Sequence, residues 1–286
     1  MDHRLIVDPL SFDARERSPA PFLIFTLYVL AHLLAFYIFV RVISPNIWNS
    51  QIHAGVTVII ATFIVCHFMF AFGEYLFHRY ILHILTYEAM GVFYRKHLQH
   101  HALTPIQLDE PRQKINNLYP IKSIEQDVCG TFPPWALLVF LGGFTPILFL
   151  IAYVFPNLPI LISGYPALSL SYYLYEVIHV RHHSSYETWW QEKLKSPKLG
   201  RLWQAMYGFH QAHHANYRCN MHVGGFFGIP IGDWLFATYK QPSTLLMDGV
   251  PATKEMIQEL NPKPRWPISW FDKIAIRRKM RTLNET

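Results

Sequence analysis

IHAGVTVIIATFIVCHFMFAFGEYLFHRYILH, residues 52–83, opens as an apolar run and closes in histidines. From about Ile52 to Phe77 it is long enough to cross a bilayer, which takes about 20 residues of apolar helix. His78 and His83 follow directly. A stretch of this kind carries metal-binding side chains to the end of a membrane span, because neutral imidazole is the commonest nitrogen donor to transition metals.

Three further blocks share the apolar character: Phe22 to Ile43, Trp135 to Phe155, and Leu158 to about Val180. Residues 44–50, with Pro45, Asn46 and Asn49, separate the first two blocks, and Pro156-Asn157-Leu158-Pro159 breaks the last two into a helical hairpin. Hydrophobic residues make up 51% of the 286 and charged residues only 15%. Uncharged runs beyond about 18 residues are rare in soluble cores, so the blocks read as spans rather than core helices. The N-terminus is not a secretory signal: Asp2, His3, Arg4, Asp8, Asp13, Arg15, Glu16 and Arg17 precede a block too long for an h-region.

Cations set the expected orientation. Arg4, Arg15 and Arg17 lie before the first block, and Arg79, Arg95, Lys96, Arg112, Lys114 and Lys122 lie between the second and third. Arg181, Lys193, Lys195, Lys198, Arg201 and the run Arg277-Arg278-Lys279-Met280-Arg281 follow the fourth, whereas the two hairpin turns contain neither Lys nor Arg. The positive-inside rule therefore puts both termini and the central segment in the cytoplasm. The net charge of +6 is juxtamembrane and mixed with Trp, which suits anionic lipid headgroups better than nucleic acid.

The histidines recur as a motif. His97-Leu98-Gln99-His100-His101, His179-Val180-Arg181-His182-His183 and His210-Gln211-Ala212-His213-His214 all read H-x-x-H-H. With 16 His in the chain, chance supplies about 0.05 copies. On a helix the three positions fall at roughly 0°, 300° and 40°, within one sector. With the expected topology every box lies on the cytoplasmic side, where distant boxes can meet. His78 and His83 are roughly 140° apart on an ideal helix, so the helix is expected to end or unwind between them. Cys66, Cys129 and Cys219 are scattered and form neither a C-x-x-C pattern nor a disulfide framework.

Ten or so clustered imidazoles exceed what one metal ion takes, since a zinc site uses four ligands at most. They suit two ions with about five nitrogen donors each and open positions. Soluble di-iron bundles are carboxylate-rich instead. Iron suits O₂ activation beside a hydrocarbon, whereas zinc has no redox chemistry. Glu74, one turn before His78, and Glu176, just before His179, are expected to hydrogen-bond a ligand's second nitrogen and fix its tautomer, against the alternative of a snorkelling or inter-helix glutamate.

The remaining cytoplasmic sequence is less specific. Residues 101–133, with Pro105, Pro111 and Pro120, read as loop with short helices. Trp189-Trp190 through Trp203 alternate aromatic and aliphatic residues with Lys and Arg, which fits either a broken helix at headgroup depth or an amphipathic cap. Gly224-Gly225, Gly228, Pro230 and Gly232 mark a turn-rich loop. The chain ends in a basic helix expected to pack on the membrane surface.

In order and spacing, Glu74-Tyr-Leu-Phe-His78-Arg-Tyr-Ile-Leu-His83, His97-x-x-His100-His101, Tyr175-Glu176 leading to His179 and His183, and His210-x-x-His213-His214 resemble the fatty acid hydroxylase superfamily. That group includes sterol oxidases and sphingolipid and carotene hydroxylases. The likeness spans about residues 70–240 and extends to Asn216-Tyr217 and to Gly232-Asp233-Trp234-Leu235-Phe236-Ala237-Thr238-Tyr239, similar to a family stretch ending in LFGTY. It implies a non-haem centre of two iron ions, O₂ as oxidant, and electrons from a separate donor such as cytochrome b5, a ferredoxin or a reductase. The implied ligands are His78, His83, His97, His100, His101, His179, His183, His210, His213 and His214. The family's third box reads H-x-x-x-H, which leaves His182 beside the site or on the surface. Arg218 stands where glycine is common, the usual Arg after the late Asp is missing, and no fused cytochrome b5 haem motif is present. These departures bear on substrate and not on metal.

The expected fold is all-α: a four-transmembrane-helix membrane protein with a cytoplasmic histidine-rich helical cap. Residues 1–20 form the N-terminal tail, 21–180 the spans with a central segment 78–133, and 181–286 the cap and basic tail. The expected activity is hydroxylation of a lipid C–H bond (fatty acyl, sphingolipid, sterol or carotenoid), with desaturation at the same centre as the alternative. Endoplasmic reticulum and bacterial inner membrane fit equally. A haem carrier would pair histidines deep within spans, and a metal transporter would hold ligands near the midplane; these lie at span ends. His222 reads as a satisfied loop histidine, His67 as either part of a substrate passage or an inter-helix hydrogen bond, and His3, His32 and His53 as incidental.

Overall fold

A computed structural model describes residues 20–85, 88–242 and 246–285, with side chains as far as Arg277. The tail residues His3, Arg4, Arg15 and Arg17 lie outside the described residues, as do the side chains of Arg278, Lys279 and Arg281. The chain is mostly helical. Three helices are long and apolar enough to cross a membrane: α1 (Ala20–Ile43), α3 (Val56–Phe77, running on to Leu82) and α6 (Ala136–Val154). Their outer faces are apolar too, with Leu23, Leu30 and Leu34 on α1, Val56, Val65 and Met69 on α3, and Ile147 and Leu150 on α6 all exposed. Bands of this kind are costly in water and neutral in lipid.

The second block starts later than the sequence suggests. A separate helix, α2 (Pro45–Ile52), takes its first residue, and α3 starts only after Gly55. Gln51 explains the break. Its buried side chain donates to Leu158 O and accepts from Leu161 N, which ties the α2 turn to the start of α7 (Ile160–His182).

Helix α7 corresponds to the fourth block and packs against α3, α6 and α1. Most of its residues are buried, including Ser163, Ser169 and Ser171. Surrounded by protein, it tolerates hydroxyls that hydrogen-bond its neighbours: Ser163 Oγ donates to Ile59 O, Ser171 Oγ meets His67 Nδ1, and Tyr37 OH donates to Ile162 O. Burial rather than lipid contact thus accounts for its weaker hydropathy.

Two elements depart from expectation. Helix α3 does not stop between His78 and His83; it widens into one π-helical turn, His78–Leu82, with His83 N–H donating to His78 O. A residue added to the turn brings His83 back beneath His78, and the two rings lie 5.0 Å apart at 26°. The central segment, expected as loop with short helices, also holds an antiparallel hairpin, β1 (Ile106–Asp109) with β2 (Lys114–Asn117). Beside it lie α4 (Gly91–Leu103) and α5 (Ile124–Gly130), the latter opened by a Ser123/Gln126 capping box.

The rest of the cap comprises a π-helical turn (Tyr186–Trp190), α8 (Gln191–Leu194), α9 (Gly200–Ala215), α10 (Ile231–Leu235), α11 (Lys254–Gln258) and α12 (Ile268–Glu285). Trp190 is buried against Trp203 and Tyr207, whereas Trp189 is flanked by Arg181 and Lys193. Helix α12 is held by Arg79, whose Nε and Nη2 donate to the two oxygens of Asp272 at 2.8 and 2.7 Å. Tyr80 OH adds a 2.9 Å bond to the same carboxylate. Asp272→Ala strands the buried guanidinium. It is expected to cost about 3 kcal/mol, the low end for a broken buried pair because Asp272 is partly exposed. Thermal unfolding in detergent measures the loss, and early protease cleavage near α12 locates it.

Candidate metal centre

Four segments deliver ten imidazoles to one place. His78 and His83 come from the π-helical turn, His97, His100 and His101 from α4, His179 and His183 from the end of α7, and His210, His213 and His214 from α9. They form two groups of five, each with its candidate ligand atoms within 4.8 Å of one another: His78, His83, His97, His101, His213; and His100, His179, His183, His210, His214. The groups adjoin, since the rings of His101 and His214 stack 4.1 Å apart.

The motif is divided between the groups. In α4, His97 and His101 join the first group and His100 the second; in α9, His210 and His214 join the second and His213 the first. Positions i and i+4 lie on one side of a helix, and the i+3 residue turns to the other flank. Each of the two helices therefore serves both groups, and H-x-x-H-H bridges neighbouring sites instead of filling one.

Backbone carbonyls fix the rings. Nδ1 of His78 bonds Met221 O, that of His179 bonds Gly130 O at 2.7 Å, and those of His183, His213 and His214 bond Tyr119 O, Cys219 O and Thr104 O at 2.8 Å each. A carbonyl only accepts, so each Nδ1 carries the proton and each Nε2 is left as a bare lone pair. In the second group all five Nε2 atoms are buried with no hydrogen-bond partner among the described residues. In the first group Nε2 atoms face each other at 3.1 Å: His78 with His97, His97 with His83 and His101, and His83 with His213.

Buried unpaired acceptors cost about 1–3 kcal/mol each, so such a cluster holds together only around something that takes lone pairs. A metal ion does so. Two nitrogens each about 2.1 Å from one ion and at right angles lie about 3.0 Å apart, close to the spacing in the first group. Burial, reinforced by neighbouring imidazoles, also holds His97, His100, His101, His210 and His214 well below the usual histidine pKa of 6.5, and burial takes His213 to about 4. All six are neutral at pH 7 and ready to ligate. These buried histidine clusters could hold metal ions.

The two glutamates require correction. Among the described residues neither Glu74 nor Glu176 hydrogen-bonds a histidine. Glu74 accepts the backbone N–H groups of Val223, Gly224 and Gly225 at 2.7, 2.9 and 2.9 Å, and Glu176 accepts Phe132 N–H at 2.8 Å. The buried loop amides have no helix or strand partner and claim the Glu74 carboxylate, while carbonyls do the tautomer-fixing expected of the glutamates. Glu74 acts at one remove, clamping the loop whose Met221 carbonyl orients His78. A Cβ on Gly224 would fall 2.6 Å from Tyr175 N, so only glycine lets this loop approach α7 so closely.

His182 belongs to neither group; its buried ring lies 5.2 Å from that of His210, nearly parallel. His222 is a satisfied loop histidine, paired with Ala71 O and Gly232 N. His67 joins Ser171 Oγ and Phe227 N between elements. His32 and His53 bond Tyr28 O and Asn49 O of their own helices.

Sequence reasoning gave Asp233 no role. Fully buried, it accepts Met221 N–H and His222 N–H at 2.9 and 2.8 Å and the Thr238 hydroxyl at 2.6 Å, steadying the same loop just before the amides that Glu74 holds. An acid inside the apolar run 231–237 was the available signal. A mainly apolar cavity of about 670 Å³ between α1, α7 and residues 121–134 reaches His183 of the second group. No protein-family model, curated protein or solved structure matches the chain.

Proposed function

We propose that the chain is a multi-pass membrane oxygenase that hydroxylates a C–H bond of a lipid at a pair of non-haem iron ions, using O₂ and electrons from a separate donor protein. The observation that carries this reading is the pair of adjoining five-imidazole groups with their bare Nε2 atoms turned together. His78, His83, His97, His101 and His213 would hold one ion, and His100, His179, His183, His210 and His214 the other. Bound iron supplies the redox chemistry with O₂ that imidazole lacks and zinc cannot provide.

The remaining work falls to the chain's own residues. The carbonyls of Met221, Gly130, Tyr119, Cys219 and Thr104 hold the Nδ1 protons and so present Nε2 to the metal. Tight packing around the rings keeps bulk water away. The apolar cavity beside His183 offers room for a lipid arriving from the bilayer. In this reading α7 is a fourth span, sheltered by α1, α3 and α6, and the histidine ends of α3 and α7 face the cytoplasm with both termini, as the distribution of Lys and Arg requires.

Two measurements test the proposal. Protein purified with metal retained is expected to carry about two iron ions per chain by elemental analysis, and lipids from expressing cells to show a mass gain of one oxygen. A loss of two hydrogens would instead assign desaturation to the same centre. Stoichiometric zinc in place of iron, or unchanged lipids together with absent metal, would overturn it.

A further inference from the structure

A loop of the cap lies level with the interior of the spans. The Phe227 backbone N–H donates to His67 Nε2 at 3.2 Å, and His67 is buried near the middle of α3 (Val56–Phe77). The same ring meets Ser171 Oγ, at the middle of α7, at 2.9 Å. Helix α1 crosses at this level too: Phe25 and Thr26, inside its apolar run, touch Tyr173, just beyond Ser171. Phe226 packs on His67 and Phe68, with ring centroids 5.3 and 5.7 Å apart. The chain arrives beside Tyr75 through His222 and returns there through Phe236. It therefore descends along α3 from Tyr75 to His67, a rise of about 12 Å, and turns back.

Its backbone meets the requirement that hydrocarbon imposes. With no water at hand, irregular backbone at that depth needs an acceptor for each N–H. From Met221 to Gly232 every N–H has one. Asp233 takes Met221 and His222, Glu74 takes Val223, Gly224 and Gly225, and His67 takes Phe227. Phe226, Gly228, Ile229 and Ile231 donate to carbonyls of the loop itself, Gly232 donates to His222 Nδ1, and Pro230 has no N–H. Phe227, Gly228 and Ile229 are exposed, so burial in protein does not impose this pairing on them. The His67 tautomer suits the task. Ser171 Oγ gives its proton to Ala167 O and accepts from His67 Nδ1–H, which leaves Nε2 for Phe227. Residues 221–239 hold one charged side chain, Asp233, and it is fully buried. The large side chains turned outward are Phe227, Ile229, Trp234 and Leu235.

We propose that residues 223–235 form a re-entrant element that dips into the hydrocarbon beside α3 and turns back, with Phe227, Ile229, Trp234 and Leu235 against lipid acyl chains. These side chains continue the apolar band of Val65 and Met69 on α3. His67 and Glu74, polar groups within an apolar run, are then there to satisfy amides that water cannot reach. The element begins just after Met221, whose carbonyl orients His78, and so ties the first histidine group to the bilayer by a second route besides α3.

The test is nitroxide labelling of single-cysteine additions in the full chain, reconstituted into phosphatidylcholine vesicles. Ile229→Cys and Trp234→Cys are the probes. Val65→Cys, on the exposed face of α3, is the lipid reference, and Glu110→Cys, exposed beside the β1–β2 turn, is the water reference. Collision with oxygen, which dissolves in lipid, is compared with collision with a polar nickel chelate, and unlabelled-site signal from the three native cysteines is subtracted using wild type. The oxygen-to-nickel ratio at Ile229 and Trp234 is expected to exceed that at Glu110 by about ten-fold or more and to fall within about three-fold of Val65, because polar solutes partition weakly into hydrocarbon. A ratio at Ile229 matching Glu110 overturns the proposal. So does an Ile229 label shielded from both reagents, which would place a second copy of the chain on this face. A Val65 label that reads like Glu110 would overturn the spans and the proposal with them. Iron does not enter the measurement, so the outcome is independent of the oxygenase reading.

Discussion

His100→Ala is expected to reduce bound iron from about two ions per chain to about one and to lower lipid hydroxylation by more than about 100-fold, beyond what losing a residue behind a ligand costs. His100 is fully buried at the centre of the second group, its ring 4.6–4.9 Å from those of His179, His183 and His214. Both its nitrogens lack hydrogen-bond partners among the described residues. Metal-free protein therefore loses no hydrogen bond on this substitution, and its unfolding temperature is expected to fall only by the cost of the small cavity. His182→Ala is the control. It removes an equally buried ring of the same box that joins neither group, and about two ions are expected to remain. A structural role for His100 would show the reverse, with folding lost and metal retained in what folds.

Glu74→Ala is expected to have the second large effect, and by a different route. Its carboxylate holds three amides of buried residues, Val223, Gly224 and Gly225, and each loses its acceptor. At about 1–3 kcal/mol per stranded amide the total exceeds about 3 kcal/mol, enough to unfasten the loop. Met221 and its carbonyl shift with it, freeing His78 Nδ1 and the tautomer that presents Nε2. The first group is then expected to lose its iron while the second, whose carbonyls come from Gly130, Tyr119 and Thr104, keeps its own. Glu74→Gln retains one oxygen that can still serve Val223 and Gly224, and is expected to restore much of the loss. Metal content with thermal unfolding separates this from removal of a ligand: Glu74→Ala lowers stability in metal-free protein, and His100→Ala largely does not.

The legible part of the site was chemical and local. Histidine triplets are visible in sequence because metal binding demands particular side chains; their spacing alone includes His182, and the ten implied by the family resemblance are the ten that the structure gathers. The π-helical turn was half legible: the five-residue gap between His78 and His83 signalled that a regular helix could not serve, without saying how the chain would resolve it. Glu74 and Glu176 were misassigned because nearness along a helix says nothing about which distant amides lack acceptors. Asp233 was passed over for the same reason, since its partners at Met221 and His222 are defined only once the loop closes. The β1–β2 hairpin escaped notice because its strands are four residues each and mostly polar.

By itself the sequence determined which side chains could bind metal and which stretches suit a bilayer, since both depend on residue type along a short run. Tertiary structure alone decided how H-x-x-H-H divides between two groups and which nitrogen of each ring is bare. It also decided that the fourth block lies sheltered among the others. The reason is physical: a tautomer is set by whatever carbonyl meets Nδ1, and for His78 that carbonyl lies 143 residues away.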